Sequence, residues 1–281
     1  KFKSESLSDS QIESILPDLK EVCEPRGKWQ PSEVEIGMCY HGIGHLNMYI
    51  TDADIDKSLE LCEKIGVKDD GRSYYQTCVQ GVFMIVFQGV EPEDFALVAD
   101  IKPEKEGVAS FCAPYSGLEY NACRTEAWPL FVDQIREPEG LTQFCSFTTD
   151  DRYNGWCYET GLSLRVLELL EIGDGAGTEA VSDYCMALPQ NRRAICFSFA
   201  ATRFVQVDPE YTQVSVSLCE SAEKYGFRES CLDDLLYYST YSFAKGSESH
   251  ERYCSKLPND YHARCEEGSI PDRLYSWYER N

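Results

Sequence analysis

No C-x-x-C occurs in this chain, and no C-x-x-C-H. The first absence removes zinc ribbons, cysteine-ligated iron–sulfur clusters and thioredoxin-type redox sites; the second removes covalent c-type haem. H-E-x-x-H, G-x-S-x-G and a glycine loop ending in G-K-[ST] are missing too, so zincin, serine-hydrolase and P-loop chemistry lack their usual residues. There is no N-x-S/T sequon, which favours a prokaryotic source. The longest strongly apolar run, Val82 to Phe87, is far too short to span a bilayer. Basic residues are scarce: 26 Lys+Arg stand against 48 Asp+Glu, for a formal charge of −22. Such a surface repels nucleic acid and anionic lipid, and suits basic partners, divalent cations or solubility alone.

What the chain does have is cysteine. Fourteen fall into seven successive pairs: Cys23/Cys39, Cys62/Cys78, Cys112/Cys123, Cys145/Cys157, Cys185/Cys196, Cys219/Cys231 and Cys254/Cys265. The first two pairs are 16 residues apart and the other five 11 or 12. An even count at regular spacing predicts structural disulfides between sequence neighbours in an oxidising compartment. At 281 residues the chain is long enough to fold without staples, so their presence points to durability outside the cell. The start at Lys1, without Met or signal peptide, matches a mature secreted product.

The flanks of the pairs recur. The first cysteine closes an amphipathic stretch, as in Ser58-Leu-Glu-Leu-Cys62 and Ser215-Val-Ser-Leu-Cys219. A polar loop follows, such as Leu188-Pro-Gln-Asn-Arg192, and the second cysteine opens a new apolar stretch, as in Cys78-Val-Gln-Gly81-Val-Phe-Met84. Most intervals between first cysteines are 33 to 40 residues, with one of 50. Ser8 and Gln11 form a capping-box pattern ahead of Ile12, Ile15, Leu16, Leu19 and Cys23 on one helical face. Asp52 or Asp54 is placed to cap the helix of Ile55, Leu59 and Cys62, and Leu162 to Leu170 has helical spacing. Strand signals are few. The expected fold is all-α, two helices per unit, with residues 1–281 forming one array. Each disulfide is expected to join the end of one helix to the start of the next and so pin the corner between them. Between residues 86 and 140 the pattern weakens, and Pro92-Glu-Asp and Lys102-Pro-Glu-Lys-Glu-Gly107 read as a longer loop. This pattern resembles the tetratricopeptide-like and Sel1-like α-solenoids, in particular the secreted, disulfide-linked Sel1-like proteins of bacteria. The resemblance implies a partner that is itself a protein.

Four places carry candidate chemistry. In His41-Gly-Ile-Gly-His45 two imidazoles stand at i and i+4, a spacing that suits Zn or Cu on a helix. Gly42 lies three residues after Cys39, as Gly81 does after Cys78, and is therefore expected to permit close helix packing. Asp52, Asp54, Asp56, Glu60 and Glu63 echo the acidic positions of a calcium loop, but Lys57 stands where its turn glycine belongs; a capped helix explains them as well. Gly173-Asp-Gly-Ala-Gly177 reads as a loop between helices. The two ends, Lys1-Phe2-Lys3 and the aromatic Leu274-Tyr275-Ser-Trp277-Tyr278, are candidates for contact between copies. The leading expectation is a secreted, non-catalytic helical scaffold working through protein contacts and able to assemble with itself. The alternative is an extracellular metal-dependent enzyme centred on His41 and His45.

Overall fold

Helix-starting chemistry recurs along the chain, and the structure, a computed structural model, follows it. Residues 6–29, 31–69, 71–170, 176–243 and 245–268 are described. They contain sixteen α-helices and no extended strand, only two isolated bridges. The chain divides into two compact units, one up to Phe131 and one from Val132.

The first unit holds α1 (Asp9–Glu21), α2 (Glu33–Ile50), α3 (Ile55–Gly66), α4 (Tyr75–Gln88), α5 (Pro92–Val98), α6 (Val108–Cys112) and α7 (Gly117–Glu126). Ser8 caps α1 and Ser32 caps α2, each in a reciprocal capping box with Gln11 or Glu35. Asp54 caps α3 by accepting from the amide of Lys57, so the acids of this stretch serve a helix start. The turn before it places Asp52 and Ala53 at positive φ, and the Ala53 amide donates to the Met48 carbonyl. α4 is apolar on nearly every side because it sits at the centre: Val79, Val82, Phe83, Val86 and Phe87 are all buried as it packs against α2, α3, α5 and α7. The expected loop between 86 and 140 is instead a run of short helices. Pro92 takes the first turn of α5, where a missing N–H costs nothing, and Glu91 and Asp94 complete a capping box around it.

The second unit holds α8 (Val132–Ile135), α9 (Pro138–Phe144), α10 (Asp151–Leu170), α11 (Ala176–Ala187), α12 (Gln190–Val207), α13 (Thr212–Ser221), α14 (Arg228–Ser242), α15 (Glu248–Cys254) and α16 (Asn259–Glu267). Its centre is α12, whose buried Phe197, Ala200, Ala201, Phe204 and Val205 meet α10, α11, α13 and α14. Of the Gly173–Gly177 stretch, residues 173–175 lie outside the described residues, while Ala176 and Gly177 open α11.

All seven disulfides join sequence neighbours: Cys23–Cys39, Cys62–Cys78, Cys112–Cys123, Cys145–Cys157, Cys185–Cys196, Cys219–Cys231 and Cys254–Cys265. Their Cα separations are 5.4–5.7 Å, and no cysteine is free. The expected corner needs one correction. Each first cysteine does lie at or near a helix end, but the second cysteines stand inside their helices rather than at the start. Cys123 is the seventh residue of α7 and Cys157 the seventh of α10, as Cys39, Cys196 and Cys265 are in α2, α12 and α16. Cys231 is the fourth residue of α14, as Cys78 is of α4. The turn holds the facing helix ends apart, and the chain needs one or two helical turns before the backbones come within reach of a disulfide. Each bond therefore clamps the body of the second helix rather than its tip.

Thirteen of the fourteen cysteines are buried and Cys39 is half-buried, which denies a dissolved reductant direct access to six of the seven bonds. Replacing Cys185 and Cys196 together with Ser should cost about 3 kcal/mol, as expected for a loop of about 12 residues, and appear as a lower urea midpoint. So many disulfides suit an oxidising, extracellular setting. Among the described residues, no helix is long and apolar enough to cross a membrane.

Candidate functional site

Where α2 crosses α4, two glycines remove the side chains that would hold the helices apart. A Cβ on Gly44 would fall 2.1 Å from the carbonyl oxygen of Cys78, and one on Gly81 2.1 Å from that of His41. Those obstacles are backbone, so neither can rotate away. Gly42, expected from its distance to Cys39 to be the packing glycine, has nothing within 4 Å of its Cβ position and is exposed. Cys39 is the seventh residue of α2 and Cys78 the fourth of α4, so equal distance from cysteine does not mean equal place on the crossing.

This close approach brings the histidine pair against α4. The rings of His41 and His45 lie edge to face, their centroids 4.9 Å apart, and both are half-buried at the rim of the crossing. His41 Nε2 is 3.1 Å from the thioether sulfur of Met84. The His45 ring passes over Gly81, with its Cδ2 3.1 Å from that residue's Cβ position. His45 Nε2 is buried and has no hydrogen-bond partner. Burial, helped by the neighbouring His45, pushes the His41 imidazole down to about 4. Burial also lowers His45, partly offset by the Asp94 carboxylate. Both rings are therefore neutral at pH 7, with lone pairs rather than charge to offer.

One turn further along α2, the Tyr49 hydroxyl donates a hydrogen bond to Asp94 Oδ1. The other carboxylate oxygen accepts the amides of Val90 (2.9 Å) and Glu91 (3.1 Å). Burial alone would raise Asp94, but the bonds from Tyr49, Glu91 and Val90 outweigh it and hold the carboxyl below its ordinary range. Burial, then Asp94, pushes Tyr49 up to about 12. Asp94 is thus fixed in a capping role.

A separate polar pair lies at the far ends of α4 and α7. Glu126 is 6% exposed, and burial pushes its carboxyl up to about 8, against only a partial opposing effect from Gln88. Gln88 Nε2 donates to Glu126 Oε2 at 2.6 Å and to the Glu126 carbonyl at 3.0 Å. At pH 7 this glutamate is chiefly protonated.

The remaining histidines lie in the second unit. His262 faces Glu266 at 3.1 Å near the surface. His250 is buried, with Nε2 3.6 Å from Cys254 Sγ. His250, Cys254 and Cys265 are the one group of three His, Cys, Asp or Glu side chains among the described residues that converges as metal ligands would; there, however, both sulfurs belong to a disulfide. Asp52, Asp54, Asp56, Glu60 and Glu63 form no such group. A groove of about 440 Å³ between α14 and α16 is lined by Glu223, Arg228, Glu229, Asp260, Tyr261 and Arg264. Its cations are already paired, Arg228 with Glu220 and Arg264 with Asp233.

Sequence spacing found His41 and His45 but not the third group. Met84 lies three residues after Gly81 on the other helix, and the only signal for it was the small residue that lets the backbones touch. The terminal residues Lys1, Phe2, Lys3, Leu274, Tyr275, Trp277 and Tyr278 lie outside the described residues. No family model, curated protein or solved structure matches this chain.

Proposed function

We propose that this chain is a secreted helical-repeat scaffold of the tetratricopeptide or Sel1-like kind, prokaryotic in origin, which works through contacts with proteins. The observation that carries this reading is a recurring pattern of neighbours. Within the first unit α2, α4 and α7, which carry Cys39, Cys78 and Cys123, pack in succession. Within the second unit α10, α12, α14 and α16, which carry Cys157, Cys196, Cys231 and Cys265, do the same. There α9, α11 and α13, from the first halves of the pairs, follow suit. Stacked helix pairs that contact mainly their neighbours are how repeat arrays build long binding faces. α2 supports the reading with an open stripe of Val34, Met38, Gly42 and Leu46 at four-residue spacing, Met38 being 62% exposed.

Self-association is the most specific form of the proposal. A head-to-tail interface that does not close yields open filaments, and a charge of −22 makes such assembly strengthen with salt, which screens repulsion between copies. Light scattering across a range of salt and electron microscopy test it. Deleting residues 1–6, or changing Trp277 and Tyr278 to Ser, should leave soluble monomers with all disulfides intact. A wild-type protein that stays monomeric at high concentration at every salt level would rule out assembly.

A further inference from the structure

We propose that His41, His45 and Met84 together bind one monovalent copper ion at the α2–α4 crossing. This goes beyond the scaffold reading and does not depend on it. Two of the donors already meet, and the third ring lies beside them. His41 Nε2 and Met84 Sδ are 3.1 Å apart, and the second imidazole lies beside the first, its ring centroid 4.9 Å away. Bonds from a metal to nitrogen or sulfur run about 2.0–2.3 Å, so donors sharing one ion stand roughly 3–4 Å apart.

His45 Nε2 is the second observation. It is buried at this rim with no hydrogen-bond partner, an arrangement that costs free energy unless something else satisfies the nitrogen. A metal ion would satisfy it, since a neutral imidazole needs only its lone pair. The position of the donors is also firmly set. All three lie on helices whose separation is fixed by backbone contact at Gly44 and Gly81, and sites on rigid elements hold their geometry better than sites on loops.

The donor set chooses the metal. A thioether with two imidazoles is a soft, uncharged set, which suits Cu(I) and is poorly matched to Ca, Mg or a hydrolytic zinc centre. No third His, Cys, Asp or Glu joins the pair among the described residues, so a harder ion lacks the ligands it prefers. Thiolates would ordinarily be the soft ligands of choice, but every cysteine in this chain is held in a disulfide. Imidazole and thioether are the soft donors that remain. His41, His45 and Met84 are each only partly buried, so the site lies at the rim of the crossing and not deep in the core.

The test uses the full chain with its disulfides intact, no added thiol, and oxygen excluded. Copper is supplied as the Cu(I)–acetonitrile complex and competed against bicinchoninate, whose colour reports the copper it keeps. We expect one equivalent to move to the protein, and X-ray absorption to show both nitrogen and sulfur around the ion. Met84→Leu keeps the volume and removes the sulfur. It should weaken binding by about 100-fold or more, since losing even an outer partner of a metal ligand costs about 10–100-fold. His45→Gln, at the half-exposed rim, repeats the test should Met84→Leu not fold. If the protein takes no copper from bicinchoninate, the site does not exist. Copper bound equally well by Met84→Leu, or a stoichiometric Zn that is indifferent to Met84 and lost in His41→Gln/His45→Gln, would also overturn the proposal. Either result would place a nitrogen–oxygen site there instead.

Discussion

Replacing Glu126 with Gln should make the protein more stable at pH 8 by about 3 kcal/mol and leave it unchanged at pH 4. The buried carboxyl titrates near 8 in the folded chain, against 4.5 for an ordinary glutamate. Between those values the folded state holds a proton that the unfolded state releases. The stability that this group contributes is therefore fully present below about 4.5 and is lost as pH rises toward 8. Every pH unit between the folded and unfolded titrations corresponds to about 1.4 kcal/mol, and local relaxation reduces the full value. A glutamine is neutral at every pH and can keep the bond from Gln88 Nε2 through its own carbonyl, so it removes the pH-dependent loss without opening a cavity. Urea titrations at several pH values check this. A variant no more stable than the parent at pH 8 would mean that water or rearrangement already solvates the ionised carboxylate.

Gly42→Ala and Gly44→Ala should move stability in opposite directions, although the two residues are neighbours but one on the same helix. At Gly42 a methyl group enters open space, and alanine is the better helix former, so a gain of up to about 1 kcal/mol is expected. At Gly44 the methyl would meet the Cys78 carbonyl, the Val82 amide and the Gly81 Cα. The helices must then move apart, at a cost of about 3 kcal/mol or more. Gly81→Ala should resemble Gly44→Ala, because its methyl would strike the His41 carbonyl. Thermal melts of the three variants are enough. A destabilised Gly42→Ala together with a harmless Gly44→Ala would reverse the packing described for this crossing.

These two glycines also mark where sequence reasoning stops. Capping and pairing were legible because they are local: Ser8 and Gln11, or Asp54 ahead of Ile55, act within one turn, and each cysteine reaches its partner across one short corner. How deep in its helix the partner sits was not legible. Cys78 and Cys157 each mark the start of a new stretch in the sequence, yet their helices begin earlier, at Tyr75 and Asp151, in polar segments that carry no period of their own. Which face of a helix meets its neighbour is not local either. Gly42 and Gly44 lie about 200° apart around α2, and the crossing with α4 selects between them. The short helices from α5 to α9 were hidden because four to ten residues hold too few turns for a period to emerge. His41 and His45 could be read as a pair from their spacing, whereas Met84, Asp94 and Glu126 acquire their surroundings only when other helices arrive. Nothing in the flanks of Glu126 distinguishes it from the many acids that remain in water.

The disulfides close only local loops of 11 to 16 residues, and this has a mechanical consequence. A chain pulled from its ends could not release the segments inside those loops while the bonds last. Roughly 90 residues would stay hidden, shortening the fully extended length by about 260 Å at about 3.4 Å per residue. A protease that cuts one of the seven loops would likewise leave both pieces attached. The links do nothing to fasten one helix pair to the next, so under load the pairs would peel apart as intact beads rather than unravel into thread.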